Sequence, residues 1–338
     1  MSDLKVGAVF VLLAAIANAS FALPMKWMHR WSWENIWLVW SVCSLLLLPL
    51  LAAYFTIPQL FAGYGEVAPA VVARVIFFGF AWGVAQVLFG LSVDKIGMAL
   101  TFSIVLGTSA AVGTFLPFIK LHPELLFTSI GIYVFIGVLC VALGMVLCAR
   151  AGFHREREAG GAQGRHQSGS FRGGLILAFI SGLCASFMNI GISFAAPLLS
   201  MATQHGAQPY WALNAVWLPL LAGGAIPNLL YTFYLLVKRH TQANFAQSGT
   251  ALYWLFCILM SVLWFGSSLA YGAASFNLGT LGPIVGWPVF MSLIVICASG
   301  LGWISGEWHS ATRRPLQLHL AGIALLVLAL FFLSRVNA

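Results

Sequence analysis

The side chains of this sequence best suited to bind a small solute are neutral amides, hydroxyls and large aromatic rings inside long apolar runs. Trp82 and Gln86 are four residues apart, and Trp264, Ser268 and Tyr271 follow the i, i+4, i+7 spacing of one helix face. Amides and hydroxyls can pair with the hydroxyl groups of a sugar, and the C–H face of a pyranose ring can stack on indole. The pattern predicts a site for a neutral sugar-like solute.

The composition indicates which elements must position these side chains. Of the 338 residues, 61% are hydrophobic and only 7% are charged, against about 25% charged in soluble domains. So few charges cannot cover a water-facing surface, and no run alternates with a period of two, so we expect an all-α integral membrane protein. No phosphate-binding glycine loop, zinc motif or nucleophile elbow is present, so we expect no enzyme, cofactor or metal site. The six cysteines lie in apolar runs and are interpreted as packing thiols.

Ten apolar runs are long enough to cross a bilayer, which requires about 20 residues per helix. They cover residues 6–25, 35–55, 71–93, 98–119, 127–149, 173–200, 210–237, 251–273, 281–304 and 317–334. The first run resembles a secretory signal because Ala17-Asn18-Ala19 could be a cleavage site. Its only cation, Lys5, is offset by Asp3, so we predict an uncleaved first span.

Residues 150–172 are the one long polar stretch, and their Gly, Ser and Gln content predicts a mobile linker. Twelve of the sixteen Lys and Arg residues lie in this linker or in loops on the same side of the membrane. The positive-inside rule therefore predicts a cytoplasmic linker and two external termini. The net charge of +8 follows from this bias, so we expect no nucleic-acid partner.

Residues 1–149 and 173–338 each contain five predicted spans, and they share short matching strings. Gly7 and Ala19-Ser20-Phe21 recur 166 residues later as Gly173 and Ala185-Ser186-Phe187. Between the third and fourth spans of each half, Gly90 and Gly97 correspond to Gly272 and Gly279. Copies with an odd number of spans insert in opposite senses, so the fold class is ten transmembrane helices in two inverted five-helix repeats. Such repeats are typical of secondary transporters with a site near the midplane.

The candidate site residues also have structural interpretations. Buried hydroxyls commonly bond their own helix backbone, and buried amides can join neighbouring helices. Tryptophans near span ends are expected to anchor at the membrane interface, namely Trp31, Trp33, Trp37 and Trp308. The deeper residues form the predicted substrate site, which comprises Asn18, Gln86, Asn189, Trp264, Tyr271 and Trp287.

Ion coupling requires a titratable group near the transport path, and no acidic residue lies in the middle of a predicted span. Glu34 begins the second span, Glu307 follows the ninth, and His319 lies in the first turn of the tenth. Each is first interpreted as an interface charge or helix-end group. Glu34 is the best single candidate for proton coupling.

Several strings give the sequence a resemblance to the bacterial L-rhamnose/proton symporter family. They are Trp31-Ser-Trp-Glu-Asn-Ile-Trp37, Ile96-Gly-Met98, Gly223-Gly-Ala-Ile-Pro-Asn228, Gly306-Glu-Trp308 and Arg313-Arg-Pro315, with the same spacing from the first span to the last. The resemblance implies ten helices of the drug/metabolite transporter superfamily. It also implies import of L-rhamnose, with L-lyxose as an alternative, together with a proton.

The residues that match the family pattern by position are Glu34, Asn228, Tyr271, Trp287 and Glu307. The chain departs from that pattern at Asp94, where the family tends to be basic, and at Ser267-Ser268, where bulkier groups are expected.

We therefore expect a multi-pass protein of the bacterial inner membrane that imports a deoxysugar with a proton by alternating access. Its expected partners are the sugar, the proton and the lipid bilayer. An exporter of metabolites or drugs, and an uncoupled carrier of another polar solute, stay open as alternatives. The coupling ion and the oligomeric state also stay open.

Overall fold

The computed structural model describes residues 4–158, 168–279, 281–306, 308–309 and 311–337. Over these residues the regular structure is entirely helical, and ten segments are long and apolar enough to cross a membrane. Numbered in chain order, spans 1 to 10 are Leu4–Trp27, Trp33–Thr56, Pro69–Val93, Leu100–Leu121, Ser129–Arg155, Phe171–Gln204, Pro209–Arg239, Ala251–Asn277, Gly282–Ile304 and Arg313–Ser334. The prediction of an all-helical membrane protein with ten spans is confirmed.

The α-helices that build these spans and their connections have well-defined bounds. They are Leu4–Ser20, Trp33–Ser41, Leu48–Thr56, Leu60–Glu66, Pro69–Ile96, Met98–Leu121, Ser129–Glu158, Ser168–Ser193, Ala196–Gln204, Asn214–Arg239, Ala251–Asn277, Gly282–Ile304 and Arg313–Ser334. A π-helical segment, Val42–Leu47, joins the two α-helices of span 2. The fifth span continues as a helix to Glu158, into the stretch predicted as linker. Residues 159–167 of that stretch lie outside the described residues.

The described residues form two compact units, which do not coincide with the two halves of the sequence. Unit 1 comprises Met1–Val84 and Gly191–Asn277, and unit 2 comprises Ala85–Ile190 and Leu278–Ala338. Each unit draws helices from both halves of the chain. Unit 1 holds the aromatic candidate residues of spans 2, 3 and 8, and unit 2 holds those of span 9.

Glycines of spans 3 and 7 allow close contact between these two helices in unit 1. A Cβ built on Gly79 would lie 1.7 Å from the carbonyl oxygen of Leu220, and one built on Gly223 would lie 2.1 Å from that of Ile76. Small residues permit this approach between helices in lipid, where packing and hydrogen bonds replace the hydrophobic effect. The contact places Trp82 of span 3 against span 7.

In unit 2, glycines likewise allow close contact between spans 5 and 10, which pack along each other. A Cβ on Gly144 would lie 2.9 Å from the carbonyl oxygen of Gly322, and one on Gly322 would lie 2.6 Å from Cys148 Sγ. The carboxylate of Glu158 accepts hydrogen bonds from the backbone N–H and the hydroxyl of Thr312, at 3.3 and 2.7 Å. These bonds join the end of the span 5 helix to the N-cap of the span 10 helix.

Candidate sugar-binding site

Five tryptophans form a continuous row in unit 1, from the start of span 2 to spans 3 and 8. Ring centroids lie 5.1 Å apart for Trp33 and Trp37, and 4.4 Å apart for Trp37 and Trp40. Trp264 packs edge-on against Trp40 at 5.2 Å and stacks on Trp82 at 5.7 Å. Trp33 is 36% exposed, whereas Trp40, Trp82 and Trp264 are buried. The row therefore runs from a partly exposed ring to fully enclosed ones.

Two buried polar atoms, one in the row and one beside it, have no partner among the described residues. Within the described part of the chain, neither Trp40 Nε1 nor the adjacent Ser41 Oγ has a hydrogen-bond partner, although both are buried. An unpaired buried donor or acceptor costs about 1–3 kcal/mol. A solute with several hydroxyl groups could pair with both atoms and stack on the neighbouring rings. This combination of aromatic surface and unpaired polar atoms suits a sugar.

Glycines in span 7 shape the inner end of the row. A Cβ on Gly224 would lie 2.7 Å from Trp82 Cε3, so only glycine leaves room for the indole at this position. The Asn228 side chain donates to the Gly224 carbonyl at 2.9 Å and accepts a hydrogen bond from Trp37 Nε1 at 3.1 Å. The Gly223–Asn228 string therefore contacts two of the five tryptophans.

The other predicted site residues of unit 1 lie on spans 1 and 8. Asn18 Nδ2 donates to Ser267 Oγ at 3.3 Å, which ties span 1 to span 8 next to Trp264. The Ser268 hydroxyl bonds the Trp264 carbonyl of its own helix at 3.4 Å, so the structural interpretation applies to it. Tyr271 is buried on the same helix face as Trp264.

In unit 2, Asn189 and Trp287 meet around Gly113. Asn189 Nδ2 donates to the carbonyl oxygens of Gly113 at 2.8 Å and Pro283 at 3.0 Å, so it joins spans 4, 6 and 9. Trp287 Nε1 donates to the Ser109 carbonyl at 3.3 Å. A Cβ on Gly113 would lie 2.9 Å from Trp287 Nε1. These bonds give both residues a structural role between helices.

Gln86 is the third predicted site residue of unit 2, and its side chain is partly buried. The preceding residue, Ala85, accepts a hydrogen bond from Ser181 Oγ at 2.8 Å through its carbonyl. The six predicted residues thus divide evenly: Asn18, Trp264 and Tyr271 belong to unit 1, and Gln86, Asn189 and Trp287 belong to unit 2.

Glu34, the predicted proton-coupling residue, is fully buried in a polar clamp between spans 2 and 7. Its carboxylate accepts hydrogen bonds from Arg239 Nη1 at 3.1 Å and Thr241 Oγ1 at 2.9 Å. Asn35 Nδ2 donates to the Thr241 carbonyl at 2.9 Å, and Asn244 Nδ2 donates to Asn35 Oδ1 at 3.2 Å. The clamp fixes the start of span 2 to the end of span 7. Glu307 lies outside the described residues.

The prediction of interface anchors was wrong for Trp31 and Trp308, which are buried. Trp31 is enclosed by edge-on contacts with Phe245, Tyr253 and Trp254, at 5.1 to 5.6 Å. Proximity to a span end did not reveal this enclosure, because the rings that cover Trp31 come from another part of the chain.

Sequence reasoning also missed that Trp37 and Trp40 belong to the aromatic row. The signal was present, because Trp33, Trp37 and Trp40 follow the i, i+4, i+7 spacing of one helix face.

Comparison with known proteins supplies the family. The sequence model of the L-rhamnose-proton symport protein family matches residues 1–335. The L-rhamnose-proton symporter of Escherichia coli O1:K1 / APEC is 26% identical over 333 residues, which cover 96% of each chain. The L-rhamnose-proton symporters of Klebsiella pneumoniae and Yersinia pestis are each 27% identical and cover 96% of this chain, and 96% and 95% of their own.

These relatives are transporters rather than enzymes, and the match extends over nearly all ten spans. The chain belongs to the L-rhamnose-proton symport protein family.

Proposed function

We propose that this protein imports L-rhamnose, with L-lyxose as a further substrate, together with a proton. The family match over residues 1–335 supports the substrate and the coupling ion. The tryptophan row of unit 1 carries the proposal on the structural side, because it combines stacked indoles with the unpaired Trp40 Nε1 and Ser41 Oγ. We propose that Asn18, Trp264 and Tyr271 in unit 1, and Gln86, Asn189 and Trp287 in unit 2, contribute to sugar binding.

Uptake of labelled sugar into proteoliposomes tests this function. Purified protein should accumulate L-rhamnose when the outside is acidic, and should equilibrate it without accumulation when the pH is equal on both sides. Empty liposomes provide the baseline, and L-fucose, another 6-deoxyhexose, tests discrimination by stereochemistry. Uptake that is independent of the pH gradient would refute proton coupling but would still support sugar transport. Absence of uptake and exchange for L-rhamnose would refute the substrate.

We further propose that the ten spans form two inverted five-helix repeats of the drug/metabolite transporter superfamily. The matched glycines of the two halves support this: Gly97 and Gly279 both adopt positive φ, at 83° and 81°, and each follows the third span of its half. Positive φ favours glycine, so the two positions share a backbone requirement as well as a residue type.

Packing within the units supports the same repeat. Spans 2 and 7 pack together in unit 1, and spans 4 and 9, and 5 and 10, pack together in unit 2. Each of these pairs joins spans at equivalent positions of the two halves, which is the arrangement expected where a pseudo-twofold axis passes between paired helices. Ser20 and Ser186, which are also equivalent, both bond carbonyls of the preceding turn: Ser20 bonds those of Ile16 and Ala17, and Ser186 bonds that of Leu183. Alternating access would follow from movement of such repeats.

The proposed orientation places the central linker in the cytoplasm of a bacterial inner membrane, with both termini outside. A single cysteine introduced at residue 163, in an otherwise cysteine-free variant, tests it in intact cells. A membrane-impermeant maleimide should leave this cysteine unlabelled until the cells are opened. A cysteine introduced at residue 2 should react in intact cells. The reverse labelling pattern would refute the orientation.

For proton coupling, we propose Glu34 as one candidate group. Its burial in unit 1 supports this role, and its bonds to Arg239 and Thr241 equally suit a structural clamp. Glu34→Gln separates the two roles, because a coupling residue is needed for gradient-driven accumulation but not for sugar exchange at equal pH. Loss of both activities together with lower thermal stability would assign Glu34 to the clamp alone.

A further inference from the structure

A cavity in unit 2 contains a buried histidine that the sugar site does not use. It has a volume of about 230 Å³ and is bordered by spans 4, 5, 9 and 10 and by Trp308. His319 of span 10 lines it and is only 4% exposed, so it is not an exposed interface charge. Within the described part of the chain, neither ring nitrogen of His319 has a hydrogen-bond partner.

Aromatic and charged groups hold the imidazole in place at this cavity. The ring stacks on Trp308, with centroids 4.0 Å apart and an angle of 26° between the planes. Arg155 of span 5 places its guanidinium carbon 4.8 Å from the centroid of the same indole. Stacking fixes the plane of the imidazole and leaves both nitrogens available at its edge.

The remaining polar groups of the cavity are suited to contact water. Ser103 and Ser299 donate their hydroxyl protons to the carbonyls of Met145 and Val295, at 2.8 and 2.7 Å, so their oxygens can still accept. One water requires only about 10–15 Å³ of such space and two to four polar partners. The volume and these partners can therefore accommodate several waters.

The charged and titratable groups that face His319 are few. Among the described residues that line the cavity, they are Arg155 and Cys148 of span 5, while spans 4 and 9 contribute only the neutral Ser103 and Ser299. Glu158 lies one turn beyond Arg155, and Thr312 occupies its carboxylate. The described residues that line the cavity therefore include no carboxylate that could form an ion pair with His319.

We propose that His319 binds and releases a proton that moves with the sugar, and that this cavity connects its ring to water. In this step an unpaired ring nitrogen accepts a proton from a hydronium ion in the water on the sugar-loading side, and the resulting imidazolium later releases it to water as hydronium on the opposite side of the membrane. The proposal rests on the proposed function. It makes His319 of unit 2 a second proton-binding group, in addition to Glu34 of unit 1. Titratable groups inside membrane spans commonly serve such relays.

His319→Gln tests the role in proteoliposomes by two assays, with His309→Gln as the control because His309 is exposed nearby. The first assay is exchange of labelled for unlabelled L-rhamnose at equal pH, which requires binding and conformational change but no net proton transfer. The second is accumulation driven by an inward pH gradient. We expect His319→Gln to exchange within twofold of the native rate and to lose at least tenfold in accumulation. His309→Gln should match the native protein in both assays.

Accumulation by His319→Gln at the native level would overturn the proposal. If the variant lost exchange as well, modification of the native protein would decide the question. Diethyl pyrocarbonate attacks neutral imidazole, and peptide mass spectrometry reports each histidine separately. Reaction at His319 that slows as the pH falls would support a water-accessible, titrating ring. An unreactive His319 beside a reactive His309 would overturn the proposal. Failure of the native protein to accumulate L-rhamnose would instead refute the proposed function.

Discussion

Gly79→Ala should weaken the contact between spans 3 and 7 in unit 1. The added methyl would lie 1.7 Å from the Leu220 carbonyl oxygen and 2.6 Å from the Leu220 carbonyl carbon, whereas ordinary contact begins near 3.4 Å. Both clashing atoms are backbone, so no side-chain rotation relieves them. The two helices must therefore separate locally to accommodate the methyl group.

The energetic cost of this separation can be estimated from packing. Gaps of about 0.5–1 Å forfeit a quarter to a half of a dispersion contact, and overpacking typically costs about 1–3 kcal/mol. Alanine recovers up to about 1 kcal/mol through its higher helix propensity. The net loss is then about 0–2 kcal/mol, and we expect a value near the upper end because the clash is with backbone atoms.

Thermal unfolding of the purified protein in detergent measures this effect, followed by the loss of the monodisperse peak on gel filtration. Gly79→Ala should lower the apparent Tm by several degrees. Gly266→Ala is the matched control, because it is also helical and in unit 1, and no described atom lies within 4 Å of its added Cβ. The control should leave the apparent Tm unchanged or raise it. An apparent Tm for Gly79→Ala at or above that of the control would refute the close packing of spans 3 and 7.

Three further predictions test the site and the contacts that support it. Trp264→Ala should abolish L-rhamnose uptake, while Trp264→Phe, which keeps an aromatic ring between Trp40 and Trp82, should retain part of it. Native uptake by Trp264→Ala would remove Trp264 from the site. Arg239→Gln should lower the apparent Tm because it leaves the fully buried Glu34 carboxylate without its cation, and the double variant with Glu34→Gln should recover part of the loss; no recovery would contradict the ion pair. Asn18→Ala should cost about 0.5–1.5 kcal/mol through the lost bond to Ser267, measured by the same unfolding assay.

The sequence predicted the membrane class and the ten spans correctly because hydropathy is a local property of each segment. Span bounds shifted by a few residues where charged residues continue a helix beyond the apolar run. Span 10 begins at Arg313 rather than at residue 317, because the charged and polar residues after the N-cap position Thr312 are already helical. Span 5 likewise continues to Glu158, whose carboxylate bonds Thr312.

The sequence could predict which candidate residues share a face of one helix, but not which helices pack together to form the site. Periodicity placed Trp264 and Tyr271 on one face of span 8, and both are buried there. Periodicity cannot say which face of another helix lies opposite, so the bond between Asn18 and Ser267, and that between Trp37 and Asn228, were not foreseen. These pairs are separated by 249 and 191 positions in the chain, and only tertiary packing brings them together.

The π-helical segment Val42–Leu47 shows a second limit of sequence reasoning. Its residues are apolar and equally compatible with an α-helix, so composition does not mark the change in hydrogen-bond register. The change follows Trp40 and Ser41 directly, and both carry an unpaired buried polar atom. Since π-helical turns are frequent at functional sites, the segment is an independent reason to place substrate contacts at this point of span 2.

The Gly223–Asn228 string, one of those that resemble the family pattern, has a physical role in the candidate site. Gly223 permits the close approach of spans 3 and 7, and Gly224 leaves room for the indole of Trp82, which stacks on Trp264. Asn228, one turn further along span 7, holds Trp37 through its indole N–H. Span 7 therefore positions two members of the tryptophan row, Trp82 at its inner end and Trp37 near its outer end. Changes to these small residues should alter sugar transport by moving the rings, although glycine itself can contribute little contact surface.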